Sequence, residues 1–474
     1  MKHKPLIFTP RPGQPETIRH LRDNPRSALY ATVGSGKTVM LLTALLEADM
    51  VEPVFPILVM APKNAMSTVW EGEIAKFAHT RHLTTRVIDG TQKEKLALLK
   101  DPADVNIVAY TSAAWLLNAI KVHRIGSPWQ TLILDESVKI KNYRRTGGSI
   151  QGRVAVLLSL AIPRVHCLSG LPAPLGIQDM WAQVYALDHG ERLEDTIGKF
   201  NDKYMLSVGN GYDLRPRKEA PAEVREATRD ICYYDDTLSR MAIPDPIIID
   251  NIVKLPEHAR TRYDALLKPT ADSMERPASA SMRAAGLVQI AAGFRYTAEE
   301  NPNLEDDEAV VRRTEFIHDE KMQVISDILE SAPEENVIVA YQYKAQLVQL
   351  REWFEGLVEI RDKPGVAKNV ERWNDGKIRV LALQTQSNVE GLNLQLGGRR
   401  IIWPIAGYDL NAWVQVNGRI SPLRQQQAGF NRDVYIHRII AEDTIDEVFP
   451  DILDKKMNVN KTLFKYIKEE ADHG

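Results

Sequence analysis

The sequence predicts an α/β protein in which two parallel-sheet domains flank a mainly helical insert. Three observations predict it. Short apolar runs alternate with helical stretches over residues 25–180, and the same rhythm returns after Phe316. Between those regions the alternation is lost. A glycine-rich loop joins the first strand-like run to a helical run, as phosphate-binding loops do.

The first domain is expected over residues 1–185. Its strand-like runs are Ala28–Ala31, Ile57–Ala61, Val105–Ala109, Thr131–Leu134 and Val165–Leu168, each ending at a polar or Gly/Pro-rich turn. Lys37–Ala48 reads as a helix. Residues 186–314 are expected as the helical insert and inter-domain linker, with charged patches such as Arg215–Glu226. One strand-like run, Ile247–Ile249, follows a crossing marked by Pro244 and Pro246, and Asn301–Glu308 reads as an acidic exposed loop. The second domain is expected over 315–474. Its runs are Val337–Ala340, Leu357–Ile360, Ile378–Leu383, Arg400–Trp403 and Asp433–Ile439, and a charged helix follows Ile452.

Bulk composition bounds the function without naming it. A chain of 474 residues is too long for one comfortable core, so two to four domains are expected. Its 44% apolar and 26% charged residues are those of a soluble globular protein. The apolar runs are strand-sized, which argues against a membrane span, and the N-terminus lacks the apolar stretch of a secretory signal. Two cysteines, Cys167 and Cys232, make neither a disulfide framework nor a zinc cluster, and a reducing cytoplasmic setting is the expectation. A formal net charge of -3 neither announces nor excludes nucleic acid, because a local basic groove can coexist with an acidic remainder.

The sharpest local signal is Ala31-Thr32-Val33-Gly34-Ser35-Gly36-Lys37-Thr38. Backbone N–H groups of Val33, Gly34, Ser35 and Gly36 can surround a phosphate. Lys37 can reach the outer phosphates, and the Thr38 hydroxyl can bind magnesium. Ala31 stands where the usual pattern opens on glycine. Such a loop needs a second magnesium ligand at another strand end, and Asp135 supplies it after Thr131–Leu134. Glu136 is placed to orient and deprotonate the attacking water. ATP with Mg2+ is therefore the expected substrate pair.

These motifs resemble those of the Swi2/Snf2-like translocases of helicase superfamily 2, including small bacterial and phage-type members. The block Asp135-Glu136-Ser137-Val138-Lys139-Ile140-Lys141-Asn142 looks like the family's Asp-Glu-Ala-His motif with its trailing Lys-Asn; Ser137 and Val138 replace the commoner Ala and His. Gln14 resembles the family's adenine-reading glutamine. Lys63 in Ala61-Pro62-Lys63, with Trp70-Glu71-Gly72-Glu73 behind it, and Thr111 with Ser112 resemble segments along the nucleic-acid track. Leu168-Ser169-Gly170-Leu171-Pro172 resembles the motif linking ATP to that track, with Leu171 in place of Thr. In the second half, Asn388–Gln395 and Gln415–Gln425 resemble the two late motifs. Gln415, Arg419 and Gln425 match, whereas Pro422 occupies the place of the finger arginine and Arg424 that of a glycine.

The resemblance implies two tandem RecA-like P-loop NTPase domains with a mainly helical insert. It implies an ATP site completed by Gly391, Gln415, Arg419 and Arg424, with the last two sharing the finger's charge. Lys141, Asn142, Ser387 and Trp413 join the expected nucleic-acid contacts, although a tryptophan is more often a packing residue. The implied activity is ATP-driven movement on DNA, duplex above all, with remodelling of DNA or DNA–protein complexes. The helical insert is the candidate surface for protein partners, and the implied setting is the cytoplasm of a bacterium or infected host cell. Two alternatives stay open: a strand-unwinding RNA or DNA helicase, and a weakly hydrolysing, ATP-responsive DNA-binding module.

Overall fold

A computed structural model of the chain describes residues 5–63, 65–123, 128–208, 213–235, 243–268, 277–300, 310–360, 365–385, 392–407 and 409–465. The chain divides into two compact units, residues 1–243 with 455–474, and residues 244–454. Among the described residues no helix is long and apolar enough to cross a membrane.

The first unit is built on β1 (Arg26–Ala31), β2 (Ile57–Ala61), β3 (Thr85–Val87), β4 (Val105–Ala109), β5 (Thr131–Asp135) and β6 (Arg164–Ser169). A small antiparallel hairpin follows, β7 (Met205–Val208) with β8 (Asp213–Pro216), and then β9 (Cys232–Asp235). All but the hairpin pair in parallel in the order β3-β4-β2-β5-β6-β1-β9. Alternate residues explain why the strands read as continuous apolar runs. Ala28, Tyr30, Leu58, Met60, Leu132 and Leu134 belong to one core cluster. Leu29, Ala31, Ile57, Val59, Ala61 and Ile133 belong to another. A sheet buried on both faces has no polar side to show in its sequence.

The second unit opens with β10 (Ile247–Val253), followed by an antiparallel hairpin of β11 (Phe294–Glu300) and β12 (Val310–Phe316). Then come β13 (Val337–Tyr341), β14 (Val358–Ile360), β15 (Val380–Gln384), β16 (Arg400–Trp403) and β17 (Tyr435–Ala441). They form a parallel sheet in the order β10-β17-β16-β13-β15-β14. Val337, Val339, Tyr341, Val380, Ala382 and Ile402 sit in its core with helix residues Met322, Ile325 and Leu350.

Several expectations need correction. Residues 186–314 are not one helical insert, and the expected boundaries at 185 and 314 do not coincide with the division of the chain. β9 pairs with β1 in the first sheet, and β10 pairs with β17 in the second. Cys232-Tyr233-Tyr234-Asp235 is short and half polar in sequence, so it carries no strand signal of its own. The partner of β10 lies near the far end of the chain. The run expected at Ile378–Leu383 starts two residues later. The acidic segment Asn301–Glu308 lies outside the described residues.

Candidate functional site

Every parallel strand of the first sheet delivers its C-terminal end to one edge, and the chemistry expected from the sequence gathers there. β1 runs into the phosphate loop, β2 into Pro62-Lys63, β4 into Tyr110-Thr111-Ser112, β5 into Asp135-Glu136, and β6 into Gly170-Leu171-Pro172. Lys63 and Thr111 are exposed, and Ser112 is half-buried.

In the phosphate loop Gly34 has φ 86° and Gly36 φ 93°. Only glycine takes these left-handed values without strain, and they turn successive N–H groups inward. Gly36 precedes the helix Lys37–Asp49, whose first N–H groups have no side-chain cap. Lys37 Nζ donates to the carbonyls of Ala31 at 2.8 Å and Thr32 at 3.3 Å, bending over the loop. The Thr32 and Ser35 hydroxyls are buried with no hydrogen-bond partner among the described residues. Orphaned hydroxyls beside inward N–H groups and a lysine fit a phosphate ligand. Thr38, half-buried in the helix's first turn, and Asp135, at the end of β5, fit a magnesium ion that completes its shell with phosphate and water. Among the described residues no cluster of His, Cys, Asp and Glu could hold a metal by itself.

Gln14 is fully buried. Its Oε1 accepts from the Arg11 N–H at 2.8 Å, and its Nε2 donates to the Ser35 carbonyl at 2.8 Å. The expected adenine reader thus grips the phosphate loop from behind. Arg11 was missed by the sequence reading. A Cβ on Gly36 would lie 3.8 Å from Arg11 Nη2, and Arg11 Nη1 is buried without a partner among the described residues. Burial holds the Arg11 guanidinium below its ordinary pKa, opposed by the nearby Asp235 carboxylate. The Arg-Pro-Gly-Gln sequence was the available signal, since an arginine three residues before a loop-binding amide lands beside the same loop.

The paired acids differ in their surroundings. Trp70 Nε1–H donates to Asp135 Oδ2 at 2.8 Å, and Trp70 is fully buried. This corrects the expectation that Trp70 lines a nucleic-acid track: it is a core residue that holds the carboxylate of Asp135. Glu136 is 8% exposed and adopts φ 54°, ψ 56°. The Ser169 hydroxyl donates to Glu136 Oε1 at 3.0 Å and accepts from the Leu171 N–H at 3.2 Å. A Cβ on Gly170 would stand 3.2 Å from Val33 and 3.6 Å from Lys37 Nζ, so this loop lies against the phosphate loop.

Lys141 is half-buried with its Nζ 3.7 Å from Asp179 Oδ2. It is engaged with Asp179 within the unit. Burial raises the Asp179 carboxyl above its usual range, with Lys141 acting in the opposite direction. Asn142 is exposed.

In the second unit Arg419 is 2% exposed. Its Nε donates to the Gln415 carbonyl at 3.0 Å and its Nη2 to Gln415 Oε1 at 2.6 Å. Leu423-Arg424-Gln425 is helical: Pro422 opens the helix Pro422–Gln427. Proline is at home in the first turn, where its missing N–H would have had no partner. Arg424 Nη1 donates to Asn393 Oδ1 at 2.7 Å. Gln425 is buried and binds the Gly398 carbonyl and Arg432. Trp413 is 7% exposed and packs on Trp403 with ring centroids 4.9 Å apart. It is a core residue, contrary to its reading as a groove-facing contact. Ser387 and Gly391 lie outside the described residues.

The chain is similar to several known proteins. A family model described as the SNF2-related domain matches residues 20–203. Protein p41 of Acyrthosiphon pisum secondary endosymbiont phage 1 is 33% identical over 98% of this chain and 99% of its own length. YwqA of Bacillus subtilis (strain 168), which bears the provisional name of an ATP-dependent helicase/translocase, is 20% identical over 93% of this chain. The match spans 46% of that longer protein. The Sulfolobus solfataricus SWI2/SNF2 ATPase core, solved in complex with dsDNA, is 18% identical, covers 99% of this chain and 98% of its own, and aligns with a TM-score of 0.42.

Proposed function

The chain belongs to the Swi2/Snf2-like branch of helicase superfamily 2, and on that premise we propose that it is an ATP-driven motor that moves on double-stranded DNA and remodels DNA or its protein complexes. The observation that carries the reading is the hydrogen bond from Ser169 to Glu136. It ties the expected hydrolytic base to the loop that the family uses to communicate with nucleic acid. Lys63 and Thr111, exposed at the same sheet edge, offer a cation and a hydroxyl suited to phosphate oxygens.

Two tandem RecA-like domains are part of the proposal, supported by a parallel, helix-flanked sheet in each unit. In the proposed cycle the loop N–H groups and Lys37 hold the β- and γ-phosphates. Magnesium, held by Thr38 and Asp135, would supply positive charge to those phosphates. Glu136 takes a proton from the attacking water, and Ser169 keeps its carboxylate in place. Arg419 and Arg424 are proposed to contribute charge to turnover, which would require Arg419 to exchange its Gln415 partner.

The test is steady-state phosphate release with no nucleic acid, duplex DNA, single-stranded DNA and RNA. Stimulation led by duplex DNA is expected. Stimulation led by RNA would transfer the assignment to an unwinding helicase. Background turnover with all four, beside intact ATP binding, would favour an ATP-responsive binding module.

A further inference from the structure

Ser137 and Val138 stand where the family has Ala and His, and Leu171 stands where it has Thr. Val138 and Leu171 are buried and apolar, so neither can carry a polar link. A different link is present beside them. Ser137 and Gln183 are both fully buried. Ser137 Oγ–H donates to Gln183 Oε1 at 2.6 Å. Gln183 Nε2 donates to the Pro172 carbonyl at 2.7 Å and to the Asp179 carbonyl at 2.9 Å. Both amide protons and the amide oxygen are therefore used, which makes a fully satisfied buried network.

The three residues sit on three different pieces of chain. Ser137 follows Glu136 at the end of β5, Pro172 lies in the loop between β6 and the helix Gln178–Asp188, and Gln183 projects from that helix. Through Gln183, the turn that carries Glu136 is bonded to Pro172, three residues beyond Ser169, which is bonded to Glu136 itself. The stretch from Ser169 to Pro172 is thus tied at two points to the turn that carries Glu136. Two attachments so close together leave residues 169–172 little room to move independently of that turn.

We propose that Ser137 and Gln183 are positioning residues that couple the state of the ATP site to the Ser169–Pro172 loop, in place of the side chains missing at Val138 and Leu171. The proposal rests on the motor reading above. A merely structural pair would show in stability alone, where buried polar partners obey an asymmetry. Removing one leaves the other unsatisfied and destabilises; replacing both with apolar groups of similar shape is close to neutral.

The experiment compares the parent with Ser137→Ala, Gln183→Leu and the double variant. Thermal stability, affinity for a non-hydrolysable ATP analogue, basal and duplex-DNA-stimulated turnover, and amide hydrogen exchange over residues 169–176 with and without the analogue are measured. Each single variant is expected to lose stability, and the double to be no less stable than Gln183→Leu, since the Ser137 hydroxyl no longer lacks an acceptor while the Pro172 carbonyl has lost its donor in both. Analogue affinity should stay within about twofold in the double, since Lys37 and Thr38 are untouched. The ratio of stimulated to basal turnover should nevertheless fall at least about fivefold, the low end of typical coupling. Analogue-induced protection over 169–176 should be lost. A stable double variant that keeps both the stimulation ratio and the protection overturns the proposal. A parent with analogue-induced protection but no DNA response overturns the motor reading instead, and the exchange comparison still decides whether the pair couples the loop.

Discussion

Glu136 holds a left-handed backbone conformation, φ 54° and ψ 56°. For a residue other than glycine this costs on the order of 1–3 kcal/mol and persists only where the surroundings enforce it. Here Ser169 and the buried turn Ser137–Ile140 do so. Glu136→Gln keeps the shape and the Ser169 contact but removes the base. It is expected to bind ATP normally while hydrolysis falls at least about a hundredfold; normal steady-state turnover would remove Glu136 from that role. Lys37→Ala should abolish turnover and also weaken nucleotide binding, since its ammonium faces the loop carbonyls that frame the phosphate position. Full turnover in that variant would mean the phosphate loop is not the catalytic one. Trp70→Phe removes one donor to Asp135 and leaves the ring. The expected result is a raised Mg2+ requirement, several-fold by analogy with other outer-shell partners of metal ligands, with far-UV CD unchanged. An unaltered Mg2+ titration would leave Trp70 as packing alone.

At the scale of elements, the late-motif region of the second unit shows how packing fixes loops. Trp373 is fully buried, and its indole N–H donates to the Leu394 carbonyl at 2.8 Å. A Cβ on Gly397 would stand 2.3 Å from the Trp373 carbonyl oxygen and 2.4 Å from its Nε1. Gly397→Ala should therefore destabilise the second unit by about 1–3 kcal/mol, the usual range for overpacking. A denaturation midpoint equal to the parent's would show that the loop can move aside. The same elements show what the sequence exposes to reading. β2, β4 and β16 are found at their expected bounds, because each is a buried run ended by a turn residue. Pairings such as β1 with β9 or β10 with β17 were not readable, since register and sheet order depend on partners distant in the chain. The place of Pro422 was not readable for a local reason: a proline can follow one helix or open the next, and only the neighbouring backbone decides. In the site, the gathering of Lys37, Asp135 and Glu136 at one edge of the first sheet was legible, because each comes just after a strand-like run or at its end. Residues whose role comes from a partner, Trp70 on Asp135 and Gln183 on Ser137, were not.

For the whole molecule, net charge sets a quantitative expectation. A chain at -3 repels DNA on average, so binding must come from local cations at an exposed surface. Such binding releases counterions, and its logarithm falls linearly with the logarithm of salt with slope of about -0.9 per phosphate neutralised on duplex DNA. The apparent DNA affinity read from stimulated turnover should therefore fall steeply with salt, while the KM for ATP changes little, because the phosphate loop grips its ligand through backbone N–H groups and Lys37 in a partly enclosed site. Lys63→Ala should lower the magnitude of the salt slope by about one if Lys63 neutralises one phosphate, with basal turnover unaltered, since its exposed side chain takes no part in holding Asp135 or Glu136. Lys141→Ala is the internal control. With its ammonium held near Asp179, it should leave the slope unchanged. A slope that responds to Lys141 and not to Lys63 would put the DNA path somewhere other than the strand ends that carry Lys63 and Thr111, and would show that the Asp179 ion pair opens when DNA binds.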